Sequence, residues 1–144
     1  MYTNQAGVDL IKSFEGLRLT AYQDVRGIWT IGYGTTGPWV YRGLSIFPRE
    51  AEEKLKEHLL FTEKFISNLI GDAPTTPGQF SAMVSLAYNV GVGNFQKSSV
   101  IKYHKSGKTL AAAAAFMMWV NAGRLKKVTG LIRRRNAERK LYVS

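Results

Sequence analysis

The spacing of apolar positions changes period along this chain, and the changes divide it into elements. Val8, Leu10, Ile11 and Phe14 recur at three- and four-residue intervals, which predicts an amphipathic helix that Thr3 or Asn4 can cap and Gly16 can end. Leu19, Ala21 and Tyr22 then lead into a turn around Asp24-Val25-Arg26-Gly27, and Ile28 to Gly34 reads as a strand rich in β-branched and aromatic residues. A hairpin is predicted, with a third short strand near Trp39 to Tyr41. Pro48 suits the first position of a long helix reaching Ile70, in which Leu55, Leu59, Ile66 and Leu69 form an apolar stripe beside alternating charges.

Beyond Ile70 only helices are predicted. Thr76-Pro77-Gly78-Gln79 is a capping-box pattern opening an apolar helix that ends at Gly91. Gly93-Asn94 reads as a turn, Ser98 as the start of a short helix closed by Ser106-Gly107, and Thr109 as the cap of Leu110 to Val120. A basic helix runs from about Gly130 to Tyr142. The fold class is α+β, in one domain spanning 1–144. A small N-terminal β-hairpin lobe (about 13–47) is joined by a connecting helix (about 48–70) to a larger helical lobe (about 71–144, with the first helix).

Composition narrows this reading. The 144 residues, 45% of them hydrophobic, suffice for a real core. With no cysteine, a disulfide framework, a cysteine metal site and a thiol nucleophile are excluded. Met1 to Gln5 do not read as a signal peptide, and no apolar run approaches the ~20 residues that span a bilayer. His58 and His104, far apart and away from acid clusters, are expected at the surface; Met83, Phe116, Met117 and Met118 are expected in the core.

Charge is unevenly distributed. Residues 1–72 hold 8 Lys/Arg and 9 Asp/Glu, a net −1; residues 73–144 hold 12 Lys/Arg and the single acid Glu138, a net +11, and the halves sum to +10. Such a field favours a polyanionic partner, and nucleic acid, anionic lipid and an acidic cell wall all qualify. The run Arg133-Arg134-Arg135 with Arg139 and Lys140 reads as a solvated helix face available to such a partner.

The chemistry concentrates near the first helix end. Only Asp9, Glu15 and Asp24 are acidic in the first 47 residues. Glu15 sits at a helix C-terminus, where the helix dipole is negative, and beside apolar Phe14 and Leu17; these neighbours favour a carboxyl that keeps its proton, as a general acid must, although Arg18 opposes them. Asp24, in a wet turn, suits an ionised partner. One protonated and one ionised carboxyl across a cleft can break a glycosidic bond. Strand alternation puts Trp29, Ile31 and Tyr33 on an inward face. It leaves Thr30 on the other face with Ile28, Gly32 and Gly34, where a binding floor can form. Taken alone, a helix-end Glu, a turn Asp and a strand Thr are also ordinary surface residues.

The segments Phe14-Glu15-Gly16-Leu17-Arg18-Leu19-Thr20-Ala21-Tyr22-Gln23-Asp24 and Trp29-Thr30-Ile31-Gly32-Tyr33-Gly34 resemble the active-site signature of phage-type lysozymes, glycoside hydrolase family 24. That signature has a Glu, an Asp after eight intervening residues and a Thr after five more, and Glu15, Asp24 and Thr30 match both gaps. Gln79 to Gly91, Gly93 to Ser99, and Trp119 through Asn121-Ala122-Gly123 to Gly130-Leu131-Ile132-Arg133-Arg134-Arg135 and Glu138 resemble later family segments. Two departures stand out. Arg124 to Thr129 replace a more usual glycine and proline, and Thr35 stands where the pattern after Gly34 has histidine.

The resemblance implies a lysozyme-like fold and inverting hydrolysis of the β-1,4 bond between N-acetylmuramic acid and N-acetylglucosamine in peptidoglycan. Glu15 would be the acid, with Asp24 and Thr30 directing a water. Tyr22, Gly34, Tyr88, Asn89, Phe95 and Ser98 are the candidate substrate contacts, and no metal or other cofactor is implied. Arg18, Arg26 and Arg124 are open to contact with Glu15 or wall carboxylates, or to simple solvation. The expected partners are peptidoglycan and, through the basic half, anionic wall or outer-membrane polymers; nucleic acid is not expected, and the chain is expected to be a monomer. The family suggests synthesis in a bacterial host cytoplasm, release through a holin-type pore and action in the wall. Rival readings are a lytic transglycosylase, which leaves an anhydro sugar and generally works with one Glu, and a cationic nucleic-acid- or membrane-binding module.

Overall fold

In a computed structural model, residues 1–122 and 126–144 are described. Helix α1 (Gln5–Glu15) starts at Asn4, whose Oδ1 accepts from Gly7 N at 2.9 Å. Of the two candidate caps it is Asn4 that serves; Thr3 instead donates its N–H and hydroxyl to the buried Glu63 carboxylate at 2.7 and 2.6 Å. Asn4 N donates to Ser81 Oγ at 2.9 Å. A Cβ at Gly7 would lie 2.7 Å from Thr3 Cγ2 and 2.8 Å from Ser81 Cβ, so this glycine lets the first helix press against the central one.

After Gly16 the chain enters a three-stranded antiparallel sheet of β1 (Arg18–Gln23), β2 (Trp29–Gly32) and β3 (Thr35–Thr36). Tyr22 lies opposite Thr30 and Gln23 opposite Trp29, while Thr30 also pairs with Thr36. The third strand is thus earlier than the expected Trp39 to Tyr41. The left-handed Gly34 (φ +75) reverses the chain at once, and Val40, at 6% exposure, instead fills a small core with Ile31, Ile46 and Ala51.

Helix α2 (Pro48–Ile70) supplies Ala51 to that small core and Leu55, Leu59, Ile66 and Ile70 to the main one, so one rigid element serves both. Its first turn is closed by Glu50 Oε1, which accepts from Phe47 N at 3.1 Å. Helix α3 (Pro77–Val90) opens with the predicted capping box: Gln79 N donates to Thr76 Oγ1 at 3.0 Å and Thr76 N to Gln79 Oε1 at 2.9 Å. Every residue from Phe80 to Tyr88 is buried, which makes α3 the central helix.

Around it pack α4 (Val92–Gln96), α5 (Ser99–Lys105), α6 (Thr109–Ala115), a 3₁₀ turn (Phe116–Met118) and α7 (Thr129–Tyr142); the short strands β4 (Asn121–Ala122) and β5 (Lys126–Lys127) pair antiparallel. Two expectations are corrected here. Gly93 and Asn94 lie inside α4 rather than in a turn, because Asn94 Nδ2 donates to Val90 O at 2.7 Å and the Gly91 carbonyl accepts from Phe95 N. The helix expected over Leu110 to Val120 stops at Ala115, and Thr109 is its first residue rather than its cap. An alanine run has helix propensity but little apolar area to bury. The tighter 3₁₀ turn leaves Phe116 and Val120 buried and Met118 exposed, against the expected core position of Met118.

Neither histidine is a free surface residue. His104 is 2% exposed, with Nε2 2.8 Å from Thr75 Oγ1 and Nδ1 2.7 Å from the Tyr142 hydroxyl. His58 is half-buried and stacks on Tyr88 with centroids 3.9 Å apart. Burial lowers both imidazole pKa values below the ordinary 6.5. Unfolded chains therefore take up protons that the folded protein refuses, and stability is lost as pH falls through and below that ordinary value. Urea midpoints measured from about pH 7 to about pH 5 are expected to decline, with a shallower slope in His104→Gln; equal slopes in the two proteins would refute this account.

Candidate active site

Glu15 ends α1, and two features hold its side chain. A Cβ at Gly34 would overlap Glu15 Oε1, so only glycine, already in the left-handed region, lets the β2–β3 turn pack flat against the carboxyl. The other oxygen, Oε2, accepts from Arg134 Nη1 at 2.5 Å, across 119 residues of sequence. Phe14 and Leu17, expected to shield the acid, are 37% and 42% exposed. Arg18, expected beside it, lies over the Tyr22 ring at 4.3 Å. The environment of Glu15 is thus set by a buried cation and a glycine rather than by its sequence neighbours. Arg124 lies outside the described residues.

The sequence pattern places Arg134 and Arg135 on a solvated face, and the fold reverses that. Arg134 is 3% exposed, Arg135 fully buried, and both converge on the fully buried Glu138. Arg134 Nε and Arg135 Nη2 each donate to Glu138 Oε2 at 3.2 Å, Ser85 Oγ donates to the same oxygen at 2.5 Å, and Arg135 Nε lies 2.7 Å from Oε1. Arg134 Nη2 also reaches Ser85 O at 3.1 Å. Burial pushes the Glu138 carboxyl up, and the two guanidiniums and the Ser85 hydroxyl offset this only in part. Two cations against Glu15 and Glu138 leave the cluster neutral, the condition under which charges are tolerated inside. Sequence did carry a signal for this: the only acid of the basic half sits three and four residues after two arginines.

Asp24 lies in the β1–β2 turn. Its Oδ1 accepts from Arg26 N at 2.8 Å and Ile28 N at 2.9 Å, while Oδ2 has no partner among the described residues. Arg26 reaches Asp24 through that backbone N–H. Thr30 is 3% exposed while Ile28 on the same strand face is 42% exposed; the Thr30 hydroxyl donates to Ile28 O at 2.8 Å, which leaves the oxygen lone pairs as acceptors. Tyr22 faces Thr30 across the sheet, and its phenol pKa is raised by burial and then by the negative charges of Glu15 and Asp24, with Arg18 opposing.

The remaining candidates divide. Tyr88 is 5% exposed and donates its hydroxyl to Tyr33 O at 2.5 Å; burial and the Glu15 charge push its pKa far up, so it stays a phenol beside the site. Asn89 is occupied, since its Oδ1 accepts from Arg135 Nη2 at 2.8 Å. Phe95 and Ser98 are corrected as ligand contacts. Phe95 is a fully buried core residue, and Ser98, 5% exposed, caps α5 while donating to Phe95 O at 2.7 Å. Among the described residues, no group of three His, Asp or Glu side chains is placed to hold a metal.

Residues 12–138 match the family model described as Phage lysozyme. The chain belongs to the phage lysozyme family. It is 41% identical to the endolysin of Bacillus phage PZA over all of this chain and 56% of that protein, so it spans about half that relative's length. Against the endolysin of Salmonella phage P22 it is 38% identical, covering 99% of that protein. The muramidase domain of SpmX from Asticaccaulis excentricus superposes with a TM-score of 0.90 at 36% identity, over all of this chain and 99% of that one. The lysozyme-like α+β fold expected from the sequence is the one that the family carries.

Removing Arg134 would leave Glu138 facing one cation and Glu15 none. Arg134→Ala is expected to cost about 3–5 kcal/mol in urea unfolding, whereas Arg133→Ala, on the exposed side of the same helix, should stay within about 0.5 kcal/mol.

Proposed function

We propose that residues 1–144 form a single peptidoglycan-hydrolysing domain that cuts the β-1,4 bond between N-acetylmuramic acid and N-acetylglucosamine with inversion. Its lobes are 13–47 and 71–144 with the first helix, joined by 48–70. The observation that carries this reading is a pair of free acceptors, Asp24 Oδ2 and the Thr30 lone pairs, in the same small sheet as the glycine that backs Glu15. A water donating one hydrogen to each acceptor turns its own lone pair outward, toward a sugar carbon. Asp24 then takes the proton as the oxygen attacks.

Glu15 acts from the other side. Arg134 holds Oε2, so Oε1 is the oxygen that carries the proton to the leaving glycosidic oxygen. Burial of the Arg134 cluster keeps this acid in one rotamer, which is the positional demand of general acid catalysis. Tyr22 and Gly34 border the sugar, Tyr88 steadies the wall behind them, and no cofactor takes part. The two separate carboxylates favour hydrolysis over a lytic transglycosylase, which manages with a single Glu.

The chain works as a monomer on the wall, after release from a bacterial cytoplasm by a holin-type pore. Among the described residues no helix is long and apolar enough to cross a membrane. Lys102, Lys105, Lys108, Arg133, Arg139 and Lys140 are exposed and outside any ion pair among the described residues, and they attract the anionic polymers of the wall or outer membrane rather than nucleic acid.

Glu15→Gln and Asp24→Asn should each slow digestion of purified murein about 10²–10⁴-fold with the circular dichroism spectrum retained. Proton NMR of fresh product should show the α-anomer first. A product lighter by one water, or full activity in a folded Glu15→Gln protein, would reject the mechanism. Lysis of intact walls should weaken as salt is raised, because exposed charges are screened beyond about 8–10 Å; lysis indifferent to salt would remove the basic surface from the account.

A further inference from the structure

The chain that backs Glu15 runs Gly32-Tyr33-Gly34, from the end of β2 into β3, with both glycines in the left-handed region (φ +65 and +75). Such joints turn with little steric resistance, so Tyr33 is the one side chain of this stretch that can fix where Gly34 lies. It is held from several sides. Its carbonyl accepts from Tyr88 Oη of α3 at 2.5 Å, and its own hydroxyl donates to Glu52 Oε1 of α2 at 3.3 Å. Its ring packs against both hydrophobic cores, the small one under the sheet and the main one around α3.

Glu52 is itself tied to α1. Lys12 Nζ lies 2.6 Å from the same Oε1 and 5.4 Å from the centre of the Tyr33 ring, so ammonium, carboxylate and phenol form one closed group. The hydrogen bond between them pushes the Lys12 ammonium pKa up and the Glu52 carboxyl down, with burial opposing each. Lys12 stands three residues before Glu15 on the same helix. One short stretch of α1 therefore carries both the acid and the cation that, through Glu52, holds the turn packed on that acid. The paired side chains are 32% and 38% exposed, and ion pairs so open to water add little to folding stability. What this pair affects is position.

We propose that Lys12, Glu52 and Tyr33 form a latch that keeps the Gly34 turn seated against Glu15. All three are positioning residues, acting through Gly34 rather than on the sugar, and the proposal rests on the reading of Glu15 as the general acid. With the latch closed, Gly34 backs Oε1 while Arg134 holds Oε2, so the carboxyl keeps one orientation. With it open, the two glycines let the turn draw back, and Oε1 gains room to leave the line of the glycosidic oxygen. Misalignment of this kind slows the bond-breaking step and leaves the sugar contacts in place, so its effect falls on kcat.

The test uses soluble, peptide-free murein glycan strands as substrate. Tyr33→Phe removes only the hydroxyl and keeps the ring and the carbonyl; Lys12→Met removes the cation and keeps an unbranched stem. Each should lower kcat about 3–10-fold, short of the ~10²-fold that a 1 Å misplacement can cost. KM should stay within about twofold, and the urea midpoint should stay close to that of wild type. Lys12→Arg, which keeps a donor for Glu52, should restore most of kcat. The double variant Tyr33→Phe/Lys12→Met should lose little more than either single one, because both open the same latch. If wild type cuts the strands and both single variants match its kcat, the latch is wrong and the hydrolase reading stands. A kcat that falls only in step with the urea midpoint, and that Lys12→Arg does not restore, would make the group a structural tie and reject the positioning role. If wild type leaves the strands intact, the hydrolase reading fails and the latch with it.

Discussion

The fold of this protein closes around one buried ionic cluster. Glu138, with no exposure, is gripped by Arg134 and Arg135, four and three residues before it on the same helix, and Arg134 extends a second nitrogen to Glu15 at the end of α1. The same arginine binds the Ser85 carbonyl on α3. First, central and last helices therefore meet at a single guanidinium. Such a cluster adds little net stability over a well-packed apolar one, but breaking it is costly, so it defines where α1 must end. What it secures is the position of one carboxyl.

The opposite half of the site is built on another principle. Asp24 is held by two backbone N–H groups of its own turn, and Thr30 by the carbonyl of Ile28, so both side chains are oriented by local backbone within a few residues. Neither needs the helical lobe. One side of the chemistry is thus positioned by long-range burial and the other by a hairpin turn. Gly34 joins the two, because its missing side chain lets the sheet rest on Glu15. The long helix α2 carries both hydrophobic cores along one axis and keeps sheet and helical bundle in register.

Net charge proved a coarse guide to surface. Of the three consecutive arginines in α7, the middle and last are interior. A helix turns 100° per residue, so three in a row cannot share one environment when one flank packs on α3. The positive field comes instead from lysines of α5 and the loop after it, and from the outer positions of α7.

The sequence by itself determined the elements whose cause is local. Apolar periodicity placed α2 and α3 to within a residue, the Thr76–Gln79 box is formed as written, and the Glu15, Asp24 and Thr30 spacing marked the region where the small sheet meets α1. Tertiary structure alone decided whatever depends on contact between distant segments. It moved the third strand to Thr35, ended α6 at Ala115, and sank His104 between Thr75 and Tyr142. It also turned Phe95 and Ser98 into core and cap, and made Arg134 the partner of Glu15. Periodicity and propensity act over a few residues, whereas burial is a property of the whole packed chain. A charged side chain 119 positions away therefore leaves no trace beside the carboxyl it holds.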